Sequence, residues 1–322
     1  MKTSLTTTAL VTALACLAAP AFAADAVVYD QAKLITKPTK PLEIVFIPKV
    51  VHPWYDVVEQ GAKKAVAEFA AAGIKVNVRF DAPATADINE HIKKIENNTS
   101  VKPDGLAVAC LDPATDTQAI DDAFAAGVKV STFDTDCPAS KRIMYVGHNK
   151  DAADGYELGQ YLAKAVGGKG KVGILAGSLS APNHKARVEG FKKAIAENPG
   201  MSIVFDRPDN DNLQAAVDLT ENALQANADL VGIFGCNASA PIGAARAVET
   251  AGKKGKVHIV GMDDLPEAIG YVKAGVIDAQ KAQRQWEIGY WTVTYFVAMN
   301  SGHTFPKEHA TGSQLITADK LK

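Results

Sequence analysis

The chain has 322 residues, of which 47% are hydrophobic and 22% charged, with a formal net charge of −2. This weakly acidic balance argues against nucleic acid as a partner, because binding phosphate needs a basic face. The length is enough for two lobes with separate hydrophobic cores.

The first residues read as a secretory leader. Lys2 supplies the positive start, Leu5 to Leu17 is mostly apolar with interspersed Thr, and Ala21-Phe22-Ala23 gives the small-x-small pattern before a cut. Cleavage is expected after Ala23, leaving about 300 residues and a net charge of −3 once Lys2 is gone. The apolar run is too short and too Thr-rich for a membrane span of about 20 residues. Cys16 raises a lipid-anchored alternative, but Ala13 stands where such signals carry Leu. The expected location is therefore the periplasm. No later segment is apolar for long enough to cross a membrane. Cys110, Cys137 and Cys236 remain after processing, so an oxidising compartment permits one disulfide and leaves one thiol.

Strand and helix patterns then alternate. Ile44 to Ile47 is a short β-rich run, followed by Trp54 to Ala71 with Val57, Val58, Ala62, Ala65, Val66 and Phe69 on one helical face. Val76 to Phe80 alternates as a strand. Ile88 to Ile95 is the next helix, with Asp87 as its N-cap. Gly105 to Cys110, Thr117 to Ala126 and Val128 to Phe133 continue as strand, helix and strand. Apolar strands separated by amphipathic helices predict a parallel sheet covered on both faces.

The pattern then repeats. Gly61-x-Lys63-Lys64-Ala65-x-Ala67-Glu68 returns as Gly190-x-Lys192-Lys193-Ala194-x-Ala196-Glu197, an offset of 129 that also separates Asp134 from Asp263. Cys110 and Cys236 each end a strand-like run, at an offset of 126. Self-similarity at separate places predicts two homologous lobes. Their strand ends would face a shared cleft, where open α/β sheets bind ligands. Tyr145 to Asn149 is the expected first crossover and Gly275 to Gln285 the return. The fold class is α/β: two Rossmann-like lobes with parallel sheets joined by a multi-strand hinge. Residues 40–147 with 284–312 form one lobe, and 148–283 with 313–322 the other.

Catalytic and metal signatures are absent. Gly167-Gly168-Lys169-Gly170 and Gly252-Lys253-Lys254-Gly255 lack the Walker pattern and read as turns before strands. No G-x-S-x-G elbow occurs, and Ser178, Ser180 and His184 in one loop make no positioned triad. Asp206, Asp209 and Asp211 do not form a calcium loop, and no Cys/His spacing matches zinc. No cofactor is expected, and no enzymatic activity.

Six segments carry a family resemblance: Ile47-Pro48-Lys49-Val50-Val51-His52-Pro53-Trp54-Tyr55, Thr132-Phe133-Asp134-Thr135-Asp136, Ala186-Arg187-Val188-Glu189-Gly190-Phe191, Gly235-Cys236-Asn237, Val260-Gly261-Met262-Asp263 and Ala282-Gln283. In this order they resemble the ribose-binding branch of the type I periplasmic binding proteins, over nearly all of the mature chain. The resemblance implies capture of a small polyhydroxy ligand, a sugar or polyol, by lobe closure, and delivery to an ABC permease. It also leaves room for a periplasmic sensor subunit. A monomer is expected.

The candidate ligand residues are Lys49, His52, Trp54, Tyr55, Asp134, Asp136, Arg187, Asn237, Asp263 and Gln283. Trp54 and Tyr55 supply stacking plates at the cleft; the competing reading docks them in the core. His52 stands where relatives often carry Asn, and neutral imidazole both donates and accepts. Asp134 and Asp263 end corresponding strands and would accept charge-assisted bonds from hydroxyls. For Asp136, ligand contact and helix capping weigh equally. Arg187 offers a rigid fork of donors, against the alternative of an ion pair with Glu189. Asn237 and Gln283 resemble amide-bearing contacts, with turn formation the competitor at Asn237.

The departures narrow the ligand. Thr135 replaces a second Arg, and no aromatic stands near Asp209-Asn210-Asp211-Asn212. Both favour a smaller polyol, a deoxy sugar or another polyhydroxy compound over a pyranose held between rings. Lys49 also resembles the autoinducer-2 receptors, although the segment after Leu179 lacks their Asp-Gln contacts. Finally, Cys110 and Cys137 follow consecutive strands, so a disulfide between them is possible if those strands are adjacent.

Overall fold

The computed structural model describes residues 37–321; the leader, its cleavage site and Cys16 lie outside them. Twelve strands form two six-stranded sheets, whose facing ends position the site.

In the first lobe, β1 (Leu42–Ile47) is flanked by β2 (Val76–Phe80) and β3 (Gly105–Val108), with β4 (Val130–Asp134), β5 (Met144–Gly147) and β11 (Glu308–Ala310) following outward. All of these pairings are parallel. The second sheet repeats the order with β6 (Lys169–Leu175) at the centre, flanked by β7 (Gly200–Arg207) and β8 (Leu230–Gly235), then β9 (His258–Met262), β10 (Ala279–Gln283) and β12 (Ser313–Thr317). Only β12 runs antiparallel, against β10.

Nine helices are described: α1 (Pro53–Ala71), α2 (Ile88–Ser100), α3 (Pro113–Ala125), α4 (Asp151–Ala165), α5 (Pro182–Ala196), α6 (Leu213–Ala226), α7 (Ala240–Thr250), α8 (Pro266–Ala274) and α9 (Gln285–Asn300). The central strands are buried along their whole length, as parallel strands covered on both faces must be. Along β1 the period-2 alternation sends Ile44 and Phe46 to the core under α1 and α9. Val45 and Ile47 face the opposite core with Ile95 and Ile120. The second lobe divides in the same way, with Ile174 and Phe191 on one side and Ile233 and Val248 on the other.

The repeated glycines do the same work in each lobe. A Cβ on Gly61 would lie 1.9 Å from the Trp286 carbonyl oxygen of α9, and one on Gly190 would lie 2.0 Å from the Ala152 carbonyl oxygen of α4. Each lets two helices approach backbone to backbone. Strand register also confirms the Asp134–Asp263 correspondence, since Val108 pairs with Thr132 as Gly235 pairs with Gly261. It corrects the cysteine correspondence. Ile47 pairs with Val108 as Leu175 pairs with Gly235, so Cys110 matches Asn237, and Cys236 matches Ala109.

Local boundaries moved for identifiable reasons. α3 starts at Pro113 rather than Thr117, because Asp112 accepts the Ala114 N–H as N-cap and Pro occupies the first helical position. β4 starts at Val130 rather than Val128, after Gly127 turns the chain at φ +87°. Asp87 caps α2 as expected, accepting from Glu90 N at 2.8 Å.

Chain segments pass between the sheets after β5, after β10 and between β11 and β12. Asp154 ties these passages, accepting from Ser313 Oγ at 3.0 Å and lying 3.3 Å from Lys281 Nζ. Cys110 and Cys137 are joined by a disulfide with Cα atoms 5.7 Å apart, and Cys236 is a free, buried thiol. No helix among the described residues is long and apolar enough to cross a membrane.

Candidate ligand-binding cleft

The strand ends of both sheets converge on a cleft enclosing about 340 Å³, open solvent at its mouth included. Lys49, His52, Trp54, Tyr55 and Asp134 line it from the first lobe; Arg187, Asn237, Asp263 and Gln283 line it from the second. Asp136 is the one candidate placed elsewhere. Its carboxylate is held by Arg142 at 2.5 and 2.6 Å and by Thr132 at 2.5 Å.

β1 delivers the first group. The turn after it carries Lys49, whose buried ammonium lies 3.3 Å from Asp134 Oδ2 and donates to Thr135 Oγ1 at 3.1 Å. It also reaches Asn183 Oδ1 of the opposite lobe at 3.4 Å. His52 is the N-cap of α1. Its Nδ1 accepts the Trp54 N–H, so the proton sits on Nε2, which donates to Ser239 Oγ across the cleft at 2.8 Å. Burial, followed by the nearby Lys49 charge, lowers the His52 pKa to about 4 and keeps the ring neutral.

Trp54 and Tyr55 are docked in the core, the competing reading of them, and each still reaches the cleft with its polar atom. They pack edge to face in the core cluster while their polar atoms point into the cleft. Trp54 Nε1–H donates to Asp263 Oδ1 at 2.8 Å, and the Tyr55 hydroxyl donates to Asp134 Oδ2 at 2.7 Å.

Asp134 and Asp263 sit at φ +58° and +74°, left-handed conformations rare for residues with a side chain. The turn aims each carboxylate into the cleft, and strained backbone of this kind clusters at functional sites. Burial raises the Asp263 pKa to about 6, against the opposing pull of Arg187. Gln283, at the end of β10, donates to the same Asp263 Oδ1 at 2.9 Å.

Arg187 is almost fully buried. Its Nε donates to Asp151 Oδ1 at 2.8 Å rather than pairing with Glu189, and Nη1 donates to the Cys236 carbonyl at 3.1 Å. Burial opposes its charge, but Asp151 and then Asp263 outweigh that and raise its pKa. Nη2 has no partner, nor do Gln283 Oε1 and Asp211 Oδ2. One buried donor and two buried acceptors thus line a single cleft without partners, an arrangement buried polar groups avoid unless something else satisfies them.

Asn237 does turn work as well as lining the cleft: its Oδ1 accepts from Ser239 N and Ala240 N, and its amide donates to Asp209 at 2.7 Å. Burial and the Asp211 charge raise the Asp209 pKa to about 6.

Sequence reasoning missed three polar lining residues, Asn183, His184 and Asp211. Asn183 and His184 open α5 just behind Pro182, a helix-start signal that could have placed them at a strand end. Asp211 takes φ +57° in a turn whose direction no pattern announces. As for metals, Cys110, Asp116 and Cys137 are the one cluster with suitable atoms among the described residues. Its two sulfurs are bonded to each other.

Comparison with known proteins finds the same fold in solved structures and a family model that matches most of the chain. Residues 44–304 match the model of the periplasmic binding protein domain. The D-allose-binding periplasmic protein of Escherichia coli (strain K12) is 27% identical, over 82% of this chain and 86% of its own. An ABC transporter solute-binding protein from Burkholderia graminis, solved with D-arabinose, superposes with TM-score 0.82 at 32% identity, covering 88% and 98% of the two chains. One from Agrobacterium vitis with bound D-fucose gives TM-score 0.82 at 28% identity, covering 87% and 96%. The chain belongs to the periplasmic binding protein family.

Proposed function

We propose that this protein captures a small, uncharged polyhydroxy molecule, a monosaccharide or polyol, between its lobes and presents it to an ABC importer. The carrying observation is the set of buried, unpartnered atoms at one cleft: Arg187 Nη2, Gln283 Oε1 and Asp211 Oδ2. Hydroxyls both donate and accept, so one ligand can satisfy all three. The sugars bound by the relatives are of this class. The lobes that close are residues 40–147 with 284–312 and residues 148–283 with 313–322. The protein works as an exported, periplasmic monomer, and returns its ligand chemically unchanged.

Closure follows from placement. Lys49 and Asp134 belong to one lobe and Arg187 and Asp263 to the other, so a ligand touching both favours the closed form over the open one. Lys49, buried beside Asp134 and Asn183, is reason to test autoinducer-2 beside the sugars.

The test is a thermal-shift screen of refolded mature protein against D-arabinose, D-ribose, D-allose, D-fucose, xylitol and autoinducer-2. A micromolar binder at millimolar concentration adds about 4 kcal/mol of stability. A rise with one stereochemical series supports the proposal. No rise with any compound, from folded protein, rejects it.

A further inference from the structure

The two strand-end aspartates are anchored differently. Asp263 is followed within three residues by α8, which begins at Pro266, and its main-chain N–H donates to Lys281 O at 2.8 Å. Asp134 takes the same left-handed turn with no helix behind it: residues 135–143 run as an irregular connection to β5. That connection is fixed at Cys137, three residues beyond Asp134, by the disulfide to Cys110. Cys110 also donates its N–H to Thr135 O at 3.0 Å, so the same residue holds the segment twice. In the second lobe, the register counterpart of Cys110 is Asn237, which acts through its amide instead. Both cysteines are fully buried in the core cluster with Val45 and Ile47, and the segment they hold begins at Asp134 and Thr135, the residues that hold Lys49 in the cleft.

We infer that the Cys110–Cys137 disulfide positions Asp134 and Thr135 for ligand binding, so that the affinity of the cleft depends on its oxidation. This rests on the reading of the cleft as a polyhydroxy-ligand site. Reduction adds two electrons and two protons across the S–S bond to give two thiols. With a water-soluble phosphine, the phosphine supplies the electrons and ends as its oxide, taking the oxygen from water. Freed of the crosslink, Asp136 stays on Arg142 and the Asp134 carbonyl stays on the Tyr145 hydroxyl at 2.8 Å, but the tie behind the left-handed turn at φ +58° is lost and the Asp134 carboxylate is no longer held in one direction. Asp134 then leaves the hydroxyls it should accept from.

The test compares oxidised protein, phosphine-reduced protein and a Cys110→Ser/Cys137→Ser variant, at a temperature where circular dichroism finds all three folded. Calorimetry with D-arabinose, D-ribose and D-allose reads affinity, and amide exchange reads residues 110 and 135 without ligand. The expected result is a Kd at least tenfold higher in both disulfide-free forms, restored when the reduced protein is re-oxidised. Exchange should quicken at residues 110 and 135 while β1 and β6 stay protected. A Kd unchanged within twofold, or equal exchange at residue 135 in all forms, overturns the inference. If none of the three sugars binds even the oxidised protein, the proposed ligand class fails separately, and exchange at residue 135 alone decides the positioning role.

Discussion

Asp263→Asn separates what the site needs from what the fold prefers. The wild-type carboxylate is buried, and burial moves its pKa from the ordinary 3.8 to about 6. A carboxylate with a raised folded pKa costs nothing below 3.8, costs progressively more from 3.8 to 6, and carries a constant penalty above. At about 1.4 kcal/mol per decade, that penalty is about 3 kcal/mol at pH 7. Asparagine is nearly the same shape, and its Oδ1 can still accept from Trp54 Nε1 and Gln283 Nε2. The variant should therefore be more stable than wild type at pH 7, by a melting shift of several degrees at roughly 2 °C per kcal/mol. The two should converge near pH 4. Ligand affinity should move the other way, weakening more than tenfold through loss of charge-assisted bonds to hydroxyls. Paired melting curves from pH 4 to 8, with calorimetry at pH 7.5, measure both. A stability difference that ignores pH, or an unchanged affinity, would refute the reasoning.

Three further outcomes are expected. His52 titrates with the opposite sign: its folded pKa is lowered to about 4, so its contribution is complete above 6.5 and lost as pH falls from 6.5 to 4. His52→Gln should abolish that part of the acid destabilisation, up to about 3 kcal/mol, as seen in melting curves across the window. Gly61→Ala and Gly190→Ala should each destabilise by roughly 2 kcal/mol or more in denaturant titrations, because the added methyl meets a carbonyl of the facing helix. Ligand affinity of the wild type should fall about tenfold per unit below pH 6, as Asp263 takes up a proton, and level off above pH 7; calorimetry against pH would detect a flat profile.

Much of the fold could be read in advance because parallel α/β units carry strong local signals. The buried runs around Ile44 and Val130, and the helical face from Val57 to Phe69, leave little freedom in element type. The 129-residue offset held because the two glycines and two aspartates each do one geometric task twice: close helix contact at Gly61 and Gly190, a left-handed strand end at Asp134 and Asp263. What failed depended on three-dimensional direction. Arg187 pairs with Asp151 because α4 and α5 meet backbone to backbone at Gly155 and Gly190, which sequence spacing does not express. Asp136 was unreadable for the same reason, since its partner Arg142 lies on the far side of an irregular turn. Cys110 and Cys236 looked equivalent by position in their runs, yet one residue of register separates their roles.

A crystal structure of the mature protein, grown with the sugar that gives the greatest thermal shift, tests the central claim most directly. The account predicts the sugar between the lobes, its hydroxyls within 2.7–3.2 Å of Arg187 Nη2, Gln283 Oε1 and Asp211 Oδ2, and of Asp134 in the first lobe. A sugar bound to one lobe alone, or outside the cleft with those atoms still unpartnered, would contradict it.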